Sequence, residues 1–267
     1  MNSSKPLPQR AVEEFVAHPT VLIALDFDGT LAPLVDDPEN SRMMSQSRNV
    51  LQALTPLPGV VIALVSGRAI DSLLRVADPL KEWFLVGSHG IEVVPPHTKD
   101  SYAAENLVPS GLRQAFQKVV DDHPGTRLEV KAFGLALHTR GVEDGVSEAA
   151  SKAAAAACQR WSEDLSIRTG HGIVECSVQN ATKRDGLQAI MNLSGANSTL
   201  FAGDDLTDED GFAALGPRDV AIRVGGGVTI AQYRLANPDE VADALWQIHD
   251  ARVELASRYA DARQRRP

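Results

Sequence analysis

The chain has 267 residues, 43% hydrophobic and 23% charged, with a formal net charge of −9. That length buries a substantial core and fits one α/β domain carrying a smaller insert. The acidic balance excludes a broad electrostatic footprint for nucleic acid or an anionic membrane, so a phosphate-bearing partner needs local positive charge.

In chain order, "MNSSKPLPQR" lacks the apolar segment of a signal peptide. The runs "VLIAL" and "VVIALV" are too short to span a bilayer, so a soluble, cytoplasmic protein with no membrane or nucleic-acid partner is expected. Five apolar runs, "VLIALDFDG", "VVIALVSGR", "FLVGSHG", "TLFAGDD" and "VAIRVGGG", each stop at Gly, Ser or Asp. Their continuous hydrophobicity predicts strands buried on both faces, hence a parallel sheet. Helical spacing in "SRNVLQALTPL" and "AIDSLLRVADPL" gives β-α-β-α order with right-handed crossovers.

Between Glu105 and Gln179 the texture changes. A helix "SGLRQAFQKVVDDHPG" leads to a hairpin "RLEVKAFGLALHTR" that turns near Gly134. The Ala-rich helix "VEDGVSEAASKAAAAACQRWSEDL" leads to a second hairpin around Gly170 and Gly172. The expected architecture is a doubly wound parallel α/β core, residues 1–104 and 180–267, interrupted by an α+β cap, residues 105–179. Asn237 and Pro238 open a final helix, and "RQRRP" reads as its frayed end. Cys158 and Cys176 have neither CxxC spacing nor a His cluster and read as buried small hydrophobes.

In such a sheet, ligands bind outside the carboxyl ends of the strands, so the polar residues ending each run converge. They are Asp26 and Asp28, then Ser66, Gly67 and Arg68, with Lys183 before a helix and Asp204, Asp205 and Asp208 in "GDDLTDED". Two carboxylates at a strand mouth, joined by Asp204, repel one another unless a cation sits among them. Mg²⁺, a hard ion that takes one or two carboxylates with phosphate oxygens and water, suits that set. "GDDLTDED" lacks the spacing of a calcium-binding EF-hand loop. "VGGGVT" reads as a tight turn or, alternatively, a phosphate cradle.

The order "DFDGT", "SGR", "K", "GDDLTDE" resembles the haloacid dehalogenase superfamily of aspartate-nucleophile phosphotransferases. The resemblance implies that Asp26 is the nucleophile and that Asp28 protonates the leaving alcohol and then activates water. It implies that Asp26, the Asp28 carbonyl and Asp204 hold Mg²⁺. Ser66 and Thr30 bond the phosphoryl oxygens and Lys183 neutralises them, while Asp205 and Asp208 stand behind.

Within the insert, Glu129 and Lys131 lie two apart on a strand and face the same side. With His138, Arg140, Glu175 and "GSHGIE", they resemble the trehalose-6-phosphate phosphatases, although Thr139 stands where that family usually has Tyr, and "VECSVQNATKRDG" departs from its commoner "LEVRP". The resemblance implies a sugar-phosphate substrate, with Glu129, Lys131, His138, Arg140 and Glu175 contacting the sugar. His89 and Glu92 are further candidate substrate contacts, His89 equally a structural histidine. Sucrose or mannosyl phosphate is the alternative substrate. A receiver-type phosphoacceptor would place its acidic pair and acceptor on other strands and carry no cap.

Overall fold

The computed structural model describes residues 7–99, 108–131, 133–161, 165–178 and 181–264. The expected insert boundaries at 104/105 and 179/180 lie outside these residues. The chain divides into two compact units, residues 1–101 with 181–267, and residues 102–180.

Among the described residues, the first unit holds a seven-stranded sheet in the order β11-β10-β9-β1-β2-β3-β4. Its strands are β1 (Val21–Leu25), β2 (Val60–Val65), β3 (Phe84–Gly87), β4 (Glu92–Val94), β9 (Ser198–Gly203), β10 (Val220–Val224) and β11 (Tyr233–Leu235). All pairings are parallel except β3 with β4. The central β1, "VLIAL", has no exposed residue, which explains its unbroken hydrophobicity. Each of its Val, Leu and Ile side chains contributes about 1.5–3 kcal/mol on burial. The chain moves outward from β1 in one direction through β2 and β3, and in the other through β9, β10 and β11. That reversal makes the carboxyl end of β1 a topological switch point, where a crevice opens.

Helices α1 (Gln9–Val16), α2 (Ser45–Leu54), α3 (Ile70–Ala77), α6 (Lys183–Ser194), α7 (Asp208–Phe212) and α8 (Pro238–Gln264) belong to this unit. At the opposite, amino-terminal end of the central strands, Arg252 of α8 is buried and donates to the carbonyls of Val16, His18, Pro19 and Pro58 at 2.6–2.8 Å. Those carbonyls precede β1 and β2. A Cβ on Gly59 would overlap the Pro19 carbonyl.

The second unit follows helix, hairpin, helix, hairpin: α4 (Ser110–Asp122), β5 (Arg127–Lys131), β6 (Gly134–His138), α5 (Asp144–Trp161), β7 (Ser166–Gly170) and β8 (Ile173–Ser177). Its strands form an antiparallel sheet, β5-β6-β8-β7. Leu135, Leu137, Val174 and Cys176 share the apolar face with Leu112 and Phe116 of α4 and Ala150, Ala154 and Cys158 of α5. Cys158 and Cys176 are buried, as read from the sequence, but they form a disulfide, their Cα atoms 6.3 Å apart. Strand alternation aims Cys176 at α5, a pairing that no sequence spacing discloses.

Candidate active site

The parallel register carries β1 and β9 side by side, Leu25 opposite Ala202, so Asp26 and Asp204 emerge together at the switch point. The Asp26 N–H donates to the Ala202 carbonyl at 2.9 Å and fixes the exit of the chain. Behind it, Gly29 has φ +80°, and a Cβ there would overlap the Asp204 carboxylate. Only glycine satisfies both demands.

Lys183 is the first residue of α6, whose start is set by a capping box between Thr182 and Asp185. An ammonium at a helix N-terminus is unfavourable by itself. Here Lys183 donates to Asp26 Oδ1 at 2.7 Å and to Asp208 Oδ1 at 2.6 Å, all three side chains buried. Asp208 opens α7, and its second oxygen accepts from the Asp205 N–H at 2.8 Å. Asp205 itself is exposed, its carboxylate turned to the Leu206 N–H.

The electrostatics follow from this crowding. Burial opposes the charge on Lys183, yet Asp208 and Asp26 outweigh it and hold its pKa above that of an ordinary lysine. Burial raises Asp26 well above the usual carboxylate range despite Lys183, and repulsion from Asp208 and Asp204 adds to it. Asp204 is pushed up to about 6 by burial and by Asp208. Oxygens of Asp26, Asp204 and Asp208 lie within 4.8 Å of one another. Three carboxylates against one ammonium leave excess negative charge in a dry place, and a divalent cation with oxygen affinity fits that donor set.

Asp28 is held differently. Its carboxylate does not join the cluster, because Arg68 takes it side-on, Nε to Oδ2 at 2.5 Å and Nη2 to Oδ1 at 2.7 Å. The repulsion inferred between Asp26 and Asp28 is thereby removed, and the convergent carboxylate trio is Asp26, Asp204 and Asp208. The Ser66 hydroxyl accepts from the Arg68 N–H at 3.2 Å. The Thr30 hydroxyl is buried with no hydrogen-bond partner among the described residues.

Ser88 and His89 follow β3 with φ of 47° and 56°, a strained pair for residues with side chains. The turn is pinned by Ser88 N–H to the Arg68 carbonyl and His89 N–H to the Ser66 carbonyl. The His89 ring lies against Gly67, where a Cβ would come within 2.5 Å of it. Glu92 is buried behind this turn and accepts from the Ser88 hydroxyl and from the Ile70 N–H that opens α3. Its carboxylate braces the loop next to His89, the other residue that the sequence offers as a substrate contact here. "VGGG" is a turn whose Gly225 and Gly227 carbonyls accept from Arg234.

In the second unit, strand alternation places Glu129, Lys131, His138 and Glu175 on the face opposite the apolar core. They pair with one another, Lys131 with Glu175 and His138 Nε2 with Glu129 at 2.8 Å. The His138 contact holds the Glu129 carboxyl below its usual range against the effect of burial. Arg140 is exposed beyond β6, its backbone against Gly172. Arg168, opposite Glu175 on β7, shares the polar face. Sequence reasoning passed over it, although the alternation of "SIRTG" would have placed it there.

The doubly wound core with its acidic cluster at the switch point has the fold of the haloacid dehalogenase-like hydrolases. A protein of that description from B. subtilis superposes with a TM-score of 0.53 at 17% identity, over 85% of this chain and 99% of that one. The chain belongs to the trehalose-phosphatase family, whose model matches residues 24–239. It is 34% identical to the trehalose-phosphate phosphatase of Mycobacterium marinum and 33% identical to that of Mycobacterium tuberculosis, over 84% and 83% of this chain. The chain spans about 60% of the length of the first relative and 59% of the second. The C-terminal domain of C. albicans trehalose-6-phosphate phosphatase superposes with a TM-score of 0.72 at 19% identity, over 94% of this chain and 99% of that one.

Proposed function

We propose that the chain hydrolyses trehalose 6-phosphate to trehalose and phosphate with Mg²⁺ bound. The observation that carries the reading is Lys183 clamped between Asp26 and Asp208, with Asp204 alongside. Asp26 Oδ1 accepts from Lys183, which orients the carboxylate so that Oδ2 attacks phosphorus. As that P–O bond forms and the ester P–O bond breaks, the Asp28 carboxyl gives its proton to the departing sugar oxygen. The Asp28 carboxylate then takes a proton from a water whose oxygen attacks the aspartyl-phosphate, which frees Asp26 and inorganic phosphate.

Mg²⁺, held by Asp26, Asp204 and the Asp28 carbonyl, would neutralise charge on the phosphoryl oxygens. Lys183 adds fixed positive charge, Asp208 aims it, and Ser66 and Thr30 donate to the phosphoryl group. Gly67, after β2, and His89, after β3, lie against one another and complete the substrate-contact set. Glu129, Lys131, His138, Arg140 and Glu175 form the sugar-recognition set, with donors and acceptors suited to the many hydroxyls of a disaccharide.

Phosphate release from a panel of sugar phosphates, with and without Mg²⁺, tests the reading. Trehalose 6-phosphate should be preferred and chelation should stop turnover. Preference for sucrose or mannosyl phosphate would replace the substrate, and no release from any ester would overturn the activity.

A further inference from the structure

Ser41 lies in a polar loop, in "DDPENSRM", where the sequence offers no reason to single it out. In the structure it has no exposed surface, and its hydroxyl donates to Asp28 Oδ1 at 2.9 Å. The loop around it is built to keep it there. Asp37 caps a short turn, Pro38–Asn40, by accepting from the Glu39 N–H at 3.1 Å, and the Ser41 N–H closes the turn on the Pro38 carbonyl at 3.3 Å. Arg68 reaches past Asp28 to the same Pro38 carbonyl at 2.9 Å. Just downstream, the Met44 N–H bonds the Leu31 carbonyl at 2.9 Å.

The donors divide unequally between the two Asp28 oxygens. Oδ1 accepts from Ser41 and Arg68 Nη2, whereas Oδ2 accepts from Arg68 Nε. A carboxylate oxygen has two lone-pair directions, so Oδ1 is filled and Oδ2 retains one. Arg68 fixes the plane of the carboxylate, but a side-on guanidinium tolerates sliding. The hydroxyl, anchored on a separate segment, removes that freedom.

We propose that Ser41 is a positioning residue that, together with Arg68, turns Asp28 so that Oδ2 is the oxygen that exchanges the proton with the leaving alcohol and then with water. This rests on the phosphatase reading of Asp28 given above. A hydroxyl that acts through the acid/base group affects steps in proportion to their need for a proton.

The test compares the wild-type chain and Ser41→Ala, with Mg²⁺ present, on two substrates: trehalose 6-phosphate, whose alcohol needs a proton to leave, and p-nitrophenyl phosphate, whose phenolate does not. For the variant, kcat/KM on the sugar phosphate should fall roughly tenfold, the scale of one hydrogen bond to a charged group. On the aryl phosphate, kcat/KM should stay within about twofold. There kcat and KM should fall together, because the aspartyl-phosphate forms normally and is hydrolysed slowly. Acid-quenched protein should correspondingly retain more phosphate. Ser41→Thr, which keeps the hydroxyl, should restore the sugar-phosphate rate if it melts like wild type.

Equal losses in kcat/KM on both substrates, or no loss on either, would overturn the positioning role. A wild-type chain inactive on both esters would instead overturn the phosphatase reading, which keeps the two failures distinct.

Discussion

Metal binding at the strand mouth should compete with protons, and the structure sets the pH at which it does so. Asp204, pushed up to about 6 by burial and by Asp208, is the carboxylate whose titration falls in an accessible window. At pH 5, one unit below that value, about a tenth of Asp204 is ionised, and at pH 7.5 nearly all of it is. Apparent Mg²⁺ affinity, read by calorimetry or by the Mg²⁺-induced shift in Tm, should therefore weaken about tenfold from pH 7.5 to pH 5. Asp26, also raised, can only steepen that loss. The metal-free protein carries the complementary signature. A carboxyl whose folded pKa exceeds its unfolded value stabilises the fold at low pH, and that contribution is lost as pH rises through the folded pKa. For Asp204 alone, from the ordinary 3.8 to about 6, the upper limit of the loss is roughly 3 kcal/mol, measurable by urea melts in chelator, and the raised Asp26 adds to it in the same direction. Mg²⁺ affinity that is flat between pH 5 and 7.5, with metal-free stability that does not fall over pH 4–6, would refute the electrostatic account of the cluster.

Asp26→Asn keeps the shape but cannot attack phosphorus, so a folded variant should show no multiple-turnover phosphate release above background in a malachite-green assay. Lys183→Met leaves Asp26 and Asp208 buried without their shared ammonium; the cost should be roughly 3–5 kcal/mol in urea melts in chelator, and unchanged stability would contradict the clamp. Lys131→Ala and Glu175→Ala should each lower kcat/KM on trehalose 6-phosphate about ten- to a hundred-fold, with p-nitrophenyl phosphate little affected. Equal losses on both substrates would point to a fault in folding or metal binding.

Much of the core is legible because a strand buried on both faces leaves a continuous apolar signature, as in "VLIAL" and "VVIALV". The edges are not. β4 and β11 are three residues each, too short for any periodicity, and α1 precedes the first recognisable strand. The acidic cluster is legible for the same reason as the strands, since Asp26 and Asp204 terminate adjacent runs. Which charge pairs with which is set by packing that sequence does not display. Arg68 lies forty positions from Asp28 yet neutralises it. Lys131 joins Glu175 across β6 because the residue between Glu129 and Glu175 in the register is Ala136, too small to separate long neighbours. The same blindness hides Cys158 from Cys176.

The guanidinium of Arg252 distributes vulnerability unevenly across the sequence. Its acceptors at Val16, His18, Pro19 and Pro58 are main-chain oxygens, which no side-chain replacement at those four positions can delete. The loop residues His18, Pro19 and Pro58 are therefore free of any side-chain demand from this contact as long as they keep their path, whereas Val16, at the end of α1, is also held by its burial. Two positions lack that latitude. Arg252 donates to all four carbonyls, and a lysine could not span them with the geometry of a planar fork. Gly59 lies where any side chain would collide with the Pro19 carbonyl and crowd Arg252 Nη2. In a library of random substitutions, the end of the sheet remote from the acidic cluster should thus tolerate most changes at the acceptors His18, Pro19 and Pro58, fewer at Val16, which is buried in the core, and almost none at Gly59 and Arg252.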